Sequence, residues 1–232
     1  MLESLLVFDI DGTLMAGSGE GTSAYLRAIH DLFGIQARPG SHPTAGKTDL
    51  LILRELAEKS GLRLREGDEA KLARLYLVHL EEDLRRRPGQ VLPGVKPLLA
   101  RLAAEPGVFL ALGTGNLERA ARCKLALHGL DGYFLTGGFG SDAAERERII
   151  AVAIGRAEKV FRTRFRRIVV VGDTPLDVGA AAANGVAAIA VATGPYGLES
   201  LREAGAAELL PDLSDTDDFL HRLEGLPLLH RP

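Results

Sequence analysis

Leu5-Leu6-Val7-Phe8-Asp9-Ile10-Asp11-Gly12-Thr13-Leu14 decides how the rest of the chain is read. Four apolar residues in a row, without polar alternation, predict a short strand buried on both faces, as in a parallel sheet. The strand ends in two acids one residue apart, and Gly12 then turns the chain. Carboxylates are thereby set at the C-terminal edge of the sheet, where open α/β folds bind ligands. A single Asp after a buried strand fits helix N-capping. Two of them, followed by Gly-Thr, are so close that a cation or an unusual proton balance has to offset their charge.

Downstream, helical and strand patterns alternate. The small, flexible stretch 15–21 reads as a hinge, and residues 22–86 then carry no strand signal. Helical spacing appears over 22–33, 49–59 and 69–85, the last with Leu72, Leu75, Val78 and Leu80 beside a polar face. A second breaker cluster, Arg87-Pro88-Gly89-Gln90 with Pro93-Gly94, closes the block. Helices over 95–104, 117–127, 146–161 and 178–184 then precede strands over 108–112, 133–135, 168–171 and 188–191. The expectation is an α/β protein with a doubly wound parallel sheet, formed by residues 1–16 and 90–232. An all-helical domain over 17–89 is inserted after its first strand.

Composition excludes several classes. The 232 residues are 46% apolar and 25% charged with a net charge of −3, the balance of a globular protein with no general affinity for nucleic acid or anionic membrane. The basic run Arg162-Thr163-Arg164-Phe165-Arg166-Arg167 reads as the solvated end of a helix. One cysteine, Cys123, rules out an intrachain disulfide framework and fits a reducing compartment, with packing its expected role. No apolar run approaches the roughly 18 residues of a membrane span. A strand pattern within a few residues of Met1 leaves no room for a signal peptide, so a cytoplasmic protein is expected, monomeric or homodimeric.

Three more signals fall at strand ends. Gly113-Thr114-Gly115-Asn116 offers a hydroxyl and backbone N–H groups before a helix, the makings of an anion site or of a plain capped turn. Val171-Gly172-Asp173-Thr174-Pro175-Leu176-Asp177 supplies two further carboxylates, which also suit helix capping with Pro175 in the first turn. If the strands adjoin, Asp9, Asp11, Asp173 and Asp177 cluster, and oxygen-only ligands favour Mg²⁺ over Zn²⁺. The loop Gly137-Gly138-Phe139-Gly140-Ser141-Asp142 is either a phosphate cradle or an ordinary turn.

Asp9-Ile10-Asp11-Gly12-Thr13-Leu14, the strand ending in Thr114, and Gly172-Asp173-Thr174-Pro175-Leu176-Asp177 together resemble the haloacid dehalogenase superfamily of aspartate-nucleophile phosphatases. The helical insert is similar to that family's C1-type cap, and the chain resembles its phosphoglycolate phosphatase-like members, tail 188–194 included. The resemblance implies a Rossmann-like core and Mg²⁺-dependent hydrolysis of a small phosphorylated metabolite. It makes Asp9 the nucleophile that becomes an aspartyl-phosphate and Asp11 the general acid/base, whose backbone carbonyl binds the metal. Thr114 would hold a phosphoryl oxygen, and Asp173 would ligate Mg²⁺ with Asp177 beside it. Gly12, Gly115 and Asn116 are the accompanying phosphate-binding positions.

One element departs from the family pattern. The Lys expected ahead of the Gly-Asp pair is missing, Lys124 falling too early and Lys159 too late. Arg146, opening its own helix, is the expected substitute, with Arg148 second. In Ala45-Gly46-Lys47-Thr48-Asp49, which resembles the cap's substrate-specificity loop, Lys47 could face a second anionic group or sit in solvent ahead of a capped helix. Asp11 argues against a dehalogenase or a phosphonatase, which lack that acid. A sugar phosphomutase and a non-catalytic phosphate-binding regulatory module stay open as alternatives.

Overall fold

The structure, a computed structural model, describes residues 3–38 and 44–229. Strand β1 (Ser4–Phe8) is entirely buried. Its alternation sends Leu6 and Phe8 into one apolar core and Leu5 and Val7 into another on the opposite face. A short β2 (Met15–Ala16) leads into three helices, α1 (Glu20–Phe33), α2 (Asp49–Lys59) and α3 (Asp68–Arg86). Strand β3 (Gln90–Val91) then pairs antiparallel with β2. Next come α4 (Val95–Ala104), β4 (Val108–Gly113), α5 (Glu118–Ala126), a 3₁₀ turn (Asp131–Tyr133), β5 (Gly137–Gly138) and α6 (Arg146–Phe161). The remaining elements are β6 (Arg167–Gly172), α7 (Pro175–Ala183), β7 (Ala187–Val191), α8 (Leu198–Glu203), β8 (Glu208–Leu210) and α9 (Thr216–Gly225).

The main sheet has the order β5-β4-β1-β6-β7-β8, with every pairing parallel. Helices α4, α5 and α9 cover one face and α6, α7 and α8 the other, which is the doubly wound α/β architecture expected. The chain runs outward from β1 to one side through β4 and β5, then returns across it to β6. The topological switch point therefore flanks β1, and the crevice beyond the C-terminal ends of β1, β4 and β6 is where a ligand belongs. No helix among the described residues is long and apolar enough to cross a membrane.

Helices α1 to α3 form a third apolar cluster, which also takes in Leu117 and Ala120 at the start of α5. In α3 the buried stripe runs Leu72, Tyr76, Leu80, Leu84, one residue per turn. Val78, expected on that stripe, is half exposed because it is two residues out of phase. The two presumed hinges are less loose than their composition suggests. Met15 lies opposite Val91 and Ala16 opposite Gln90, so the crossings between core and insert form one ribbon. Buried Glu20 ties it further: its carboxylate accepts the Ser18 N–H at 2.5 Å and packs against Gly17 and Gly89.

Two other expectations need correction. Residues 133–135 are not a strand: Phe134 is buried in the core and Leu135 is exposed. The edge strand is Gly137–Gly138, inside the stretch read as a turn or phosphate cradle. Helix α6 packs so tightly there that a Cβ on Gly138 would lie 2.0 Å from the Ile149 carbonyl oxygen. The basic run is not uniformly solvated either. Arg167 opens β6 and is buried, its guanidinium donating to the Leu226 and Glu224 carbonyls.

Candidate active site

Asp9 leaves β1 still in register with the sheet, its N–H donating to the Val171 carbonyl at 2.9 Å. Asp173 leaves β6 beside it and is fully buried. Its Oδ1 accepts from the Thr13 hydroxyl at 2.9 Å, while its Oδ2 has no partner among the described residues. Glycine is required around this carboxylate: a Cβ on Gly12 (φ 87°) would lie 2.3 Å from Asp173 Oδ2, and one on Gly194 1.7 Å from it. Gly12 thus makes room for an acid.

Arg146, the first residue of α6, points into the same crevice with its side chain 5% exposed. Its Nη2 lies 2.8 Å from Asp9 Oδ1 and 2.6 Å from Asp177 Oδ1, with Nε 3.0 Å from the latter. Arg148, two residues on, is 75% exposed and lies 3.9 Å from Glu145. Asp177, expected among the metal ligands, is engaged through both oxygens. Its Oδ2 accepts from the Thr174 N–H and hydroxyl at 3.1 and 2.7 Å, closing a capping box at the start of α7, and its Oδ1 takes Arg146. These contacts fix Asp177 beside Asp9 and Asp173, the three acids that lie within reach of one metal ion.

Carboxylate oxygens of Asp9, Asp173 and Asp177 all lie within 4.8 Å of one another. Burial and the neighbouring carboxylates outweigh Arg146 and push Asp9 up to about 6. Burial, then the charges of Asp9 and Asp177, push Asp173 up to about 8. A pair of buried acids this uncomfortable, one with an orphaned oxygen, fits a hard divalent cation held by oxygen donors alone.

Asp11 faces the other way. Its side chain is 46% exposed at the mouth of the crevice, and Lys124 Nζ lies 2.8 Å from both of its oxygens. Burial would raise the Asp11 carboxyl, but Lys124 and the Asn116 amide outweigh it and hold it below the usual range. Asn116 Nδ2 donates to Asp11 Oδ2 at 2.7 Å and to Thr114 Oγ1 at 2.8 Å, and Lys124 donates to Asn116 Oδ1 at 2.7 Å. Lys124, set aside from the sequence as too early, is therefore inside the site. The signal was there. Leu117, Ala120 and Lys124 fall at i, i+3 and i+7, one inward stripe of α5. Neighbouring Cys123 is half-buried, with its thiol pushed up chiefly by burial, in keeping with packing.

The helical insert closes the crevice. At Gly115 a Cβ would meet the Lys47 carbonyl oxygen at 2.2 Å, so only glycine lets the 44–48 loop approach the core. The Asp49 N–H donates to the Gly115 carbonyl at 2.9 Å, and its carboxylate accepts the Leu117 N–H at 2.7 Å together with the Tyr25 hydroxyl. Tyr25 in turn stacks on Tyr76, ring centroids 4.4 Å apart. Sequence reading missed Tyr25 and Asp49 as site residues, since each signals only a helix. Lys47 lines the cavity, but Glu55 takes its ammonium through both oxygens at 2.8 and 2.7 Å. The half-open cavity measures about 220 Å³ and is lined by Asp9, Asp11, Thr114, Asn116, Lys124 and Arg146 on the core side. That is below the about 300–1,000 Å³ of pockets for drug-sized ligands.

Carboxylates, a hydroxyl and a guanidinium converge at the switch point of a doubly wound α/β sheet, where such folds place their ligand site. The haloacid dehalogenase-like hydrolase family matches residues 4–185, and the chain belongs to it. It is 28% identical over 228 residues to the probable phosphatase IndB of Dickeya dadantii, covering 96% of this chain and 95% of that protein. It is likewise 28% identical to the phosphoglycolate phosphatase of Rhodospirillum rubrum, covering 93% and 90%. The crystal structure of CbbY from Rhodobacter sphaeroides in complex with phosphate superposes with a TM-score of 0.74 at 18% identity, covering 93% of this chain and 96% of that one, a likeness of fold.

Proposed function

We propose that the protein hydrolyses a small phosphate monoester through a covalent phosphoryl group on Asp9, with Mg²⁺ as cofactor. What carries the reading is the cavity itself. Asp9, oriented by Arg146, lies at its floor, while Thr114 and Asp11 line the same space. Asp9 attacks phosphorus, the bond from phosphorus to the ester oxygen breaks, and Asp11, ionised at rest beside Lys124, passes to the departing alkoxide a proton taken up with the bound ester. Water, losing a proton to Asp11, then attacks phosphorus, releasing phosphate and restoring the Asp9 carboxylate. The Thr114 hydroxyl donates to a phosphoryl oxygen. Gly115 and Asn116 line the cavity where that group would rest, and Gly12 sits beside them against Asp173. Arg146 takes the part of the missing Lys, reaching nucleophile and phosphoryl group with one planar fork. Asp9, Asp173 and the Asp11 backbone carbonyl, with Asp177 beside them, would hold Mg²⁺, whose charge would offset that of one anion approaching another.

The named activity of the Rhodospirillum relative makes phosphoglycolate the first ester to try. Lys47 is the cavity residue placed for its carboxylate, and Glu55 has to yield for that contact to form. The test is phosphate release from p-nitrophenyl phosphate and a panel of phosphorylated metabolites in the presence of Mg²⁺. Asp9→Asn, nearly isosteric, should abolish turnover, and radiolabelled phosphate should be trapped on Asp9 of the wild type. Turnover by the Asn variant at the wild-type rate would end this reading.

A further inference from the structure

The geometry points to Lys124 as a positioning residue that holds the Asp11 carboxylate over the leaving oxygen, an inference that rests on the phosphatase reading. All three acceptors of its ammonium belong to the site: Asp11 Oδ1, Asp11 Oδ2 and Asn116 Oδ1, at 2.8, 2.8 and 2.7 Å. Among the described residues its ammonium bonds to no backbone carbonyl and to no side chain outside the site.

Exposure shows which group is framed and which is the frame. The Lys124 side chain is 8% exposed and that of Asp11 46%, with Asn116 buried behind them. Asp11 stands at the cavity mouth on a buried support. A surface Asp samples several rotamers, and this one would also be repelled by Asp9 and by a phosphoryl dianion. The ammonium removes that repulsion, and its two contacts select one rotamer. Asn116 extends the frame, because the same Nδ2 that donates to Asp11 also donates to the Thr114 hydroxyl. The carboxylate that handles the proton is thus indexed to the hydroxyl that holds phosphorus, as a near-attack geometry requires.

Loss of Lys124 should therefore depend on the leaving group. In Lys124→Met, kcat for 2-phosphoglycolate, whose alkoxide needs a proton, should fall at least about 10²-fold, within the usual worth of a placed acid/base. For p-nitrophenyl phosphate, whose phenolate leaves unaided, the loss should stay below about tenfold. Lys124→Arg, keeping the charge, should recover most of the alkyl-ester rate. In an Asp11→Asn background the Met substitution should change alkyl-ester turnover by less than about threefold, since the two side chains act as a unit. Should Lys124→Met fail to fold, as judged by circular dichroism, Lys124→Gln carries the same comparison. Equal losses on both esters, or full additivity with Asp11→Asn, would overturn the assignment while leaving the phosphatase reading intact. A wild type inactive on both esters would remove the two together.

Discussion

Replacing Arg146 by Met tests the centre of the site most directly. The side chains of Arg146, Asp9 and Asp177 are 5%, 6% and 2% exposed, and one guanidinium separates the two acids. Methionine fills similar space but leaves two buried carboxylates facing each other. Breaking a buried pair by removing one partner typically costs about 3–5 kcal/mol. For a chain of this size each kcal/mol shifts Tm by about 2–4 °C, so a loss of about 6–20 °C is expected at pH 8 with EDTA present. The deficit should shrink on acidification. Burial holds the folded Asp9 near 6, above its unfolded value, even with Arg146 in place. The folded state therefore binds the proton more tightly, and stability falls as pH rises from about 4 through the folded value. Without the cation that value moves higher, so the variant recovers part of its loss by pH 5. Thermal melts followed by circular dichroism at the two pH values measure this. Arg148→Ala, on the exposed neighbour, should stay within about 1–2 °C. A Met variant melting within 2 °C of wild type at pH 8, or a large deficit independent of pH, would refute the reasoning.

Chelation should abolish phosphate release and Mg²⁺ should restore it, whereas Asp173→Ala should raise the Mg²⁺ concentration for half activity at least about tenfold by titration; turnover unaffected by EDTA would dismiss the metal assignment. Glu55→Gln, which loosens the hold on Lys47, should lower KM for 2-phosphoglycolate and leave that for p-nitrophenyl phosphate unchanged, while Lys47→Ala should raise the former alone. Gly138→Ala should cost about 1–3 kcal/mol in urea unfolding, because α6 must move off the strand to admit a methyl group, and an unchanged midpoint would show that the strand has room.

What the sequence made legible was local. Helices α2, α4 and α6 begin and end where their apolar spacing puts them, Thr48 capping α2 and Gly94 preceding α4. The order of motifs on strand ends placed Asp9, Asp11, Thr114 and Asp173 around one crevice, because parallel strands share an end. Features set by a distant partner were harder. Gly137–Gly138 has no side chain to announce a strand and is one only because β4 pairs with it. Met15–Ala16 looked like a free hinge because Gln90–Val91 lies far away in sequence. Lys124 fell too early in the chain for the family's lysine, and only the fold sets it against Asp11, just as it sets Arg146 between Asp9 and Asp177.

The sheet register has a consequence for how the chain is built. Ser4 lies opposite Val108 on one side and opposite Arg167 on the other, so β1 has no neighbour until β4 follows the three inserted helices, and no second one until β6. At about 5–20 residues per second, a ribosome needs roughly 8–30 s to make the stretch between β1 and β6. The three inserted helices, all within residues 20–86, can associate long before then. Closing the sheet across them is the long-range step expected to govern the folding rate. Until β4 follows, Leu5-Leu6-Val7-Phe8 is a bare apolar segment that a nascent-chain chaperone could recognise. The strand that presents Asp9 thus precedes both of its neighbours by the length of the inserted helices or more.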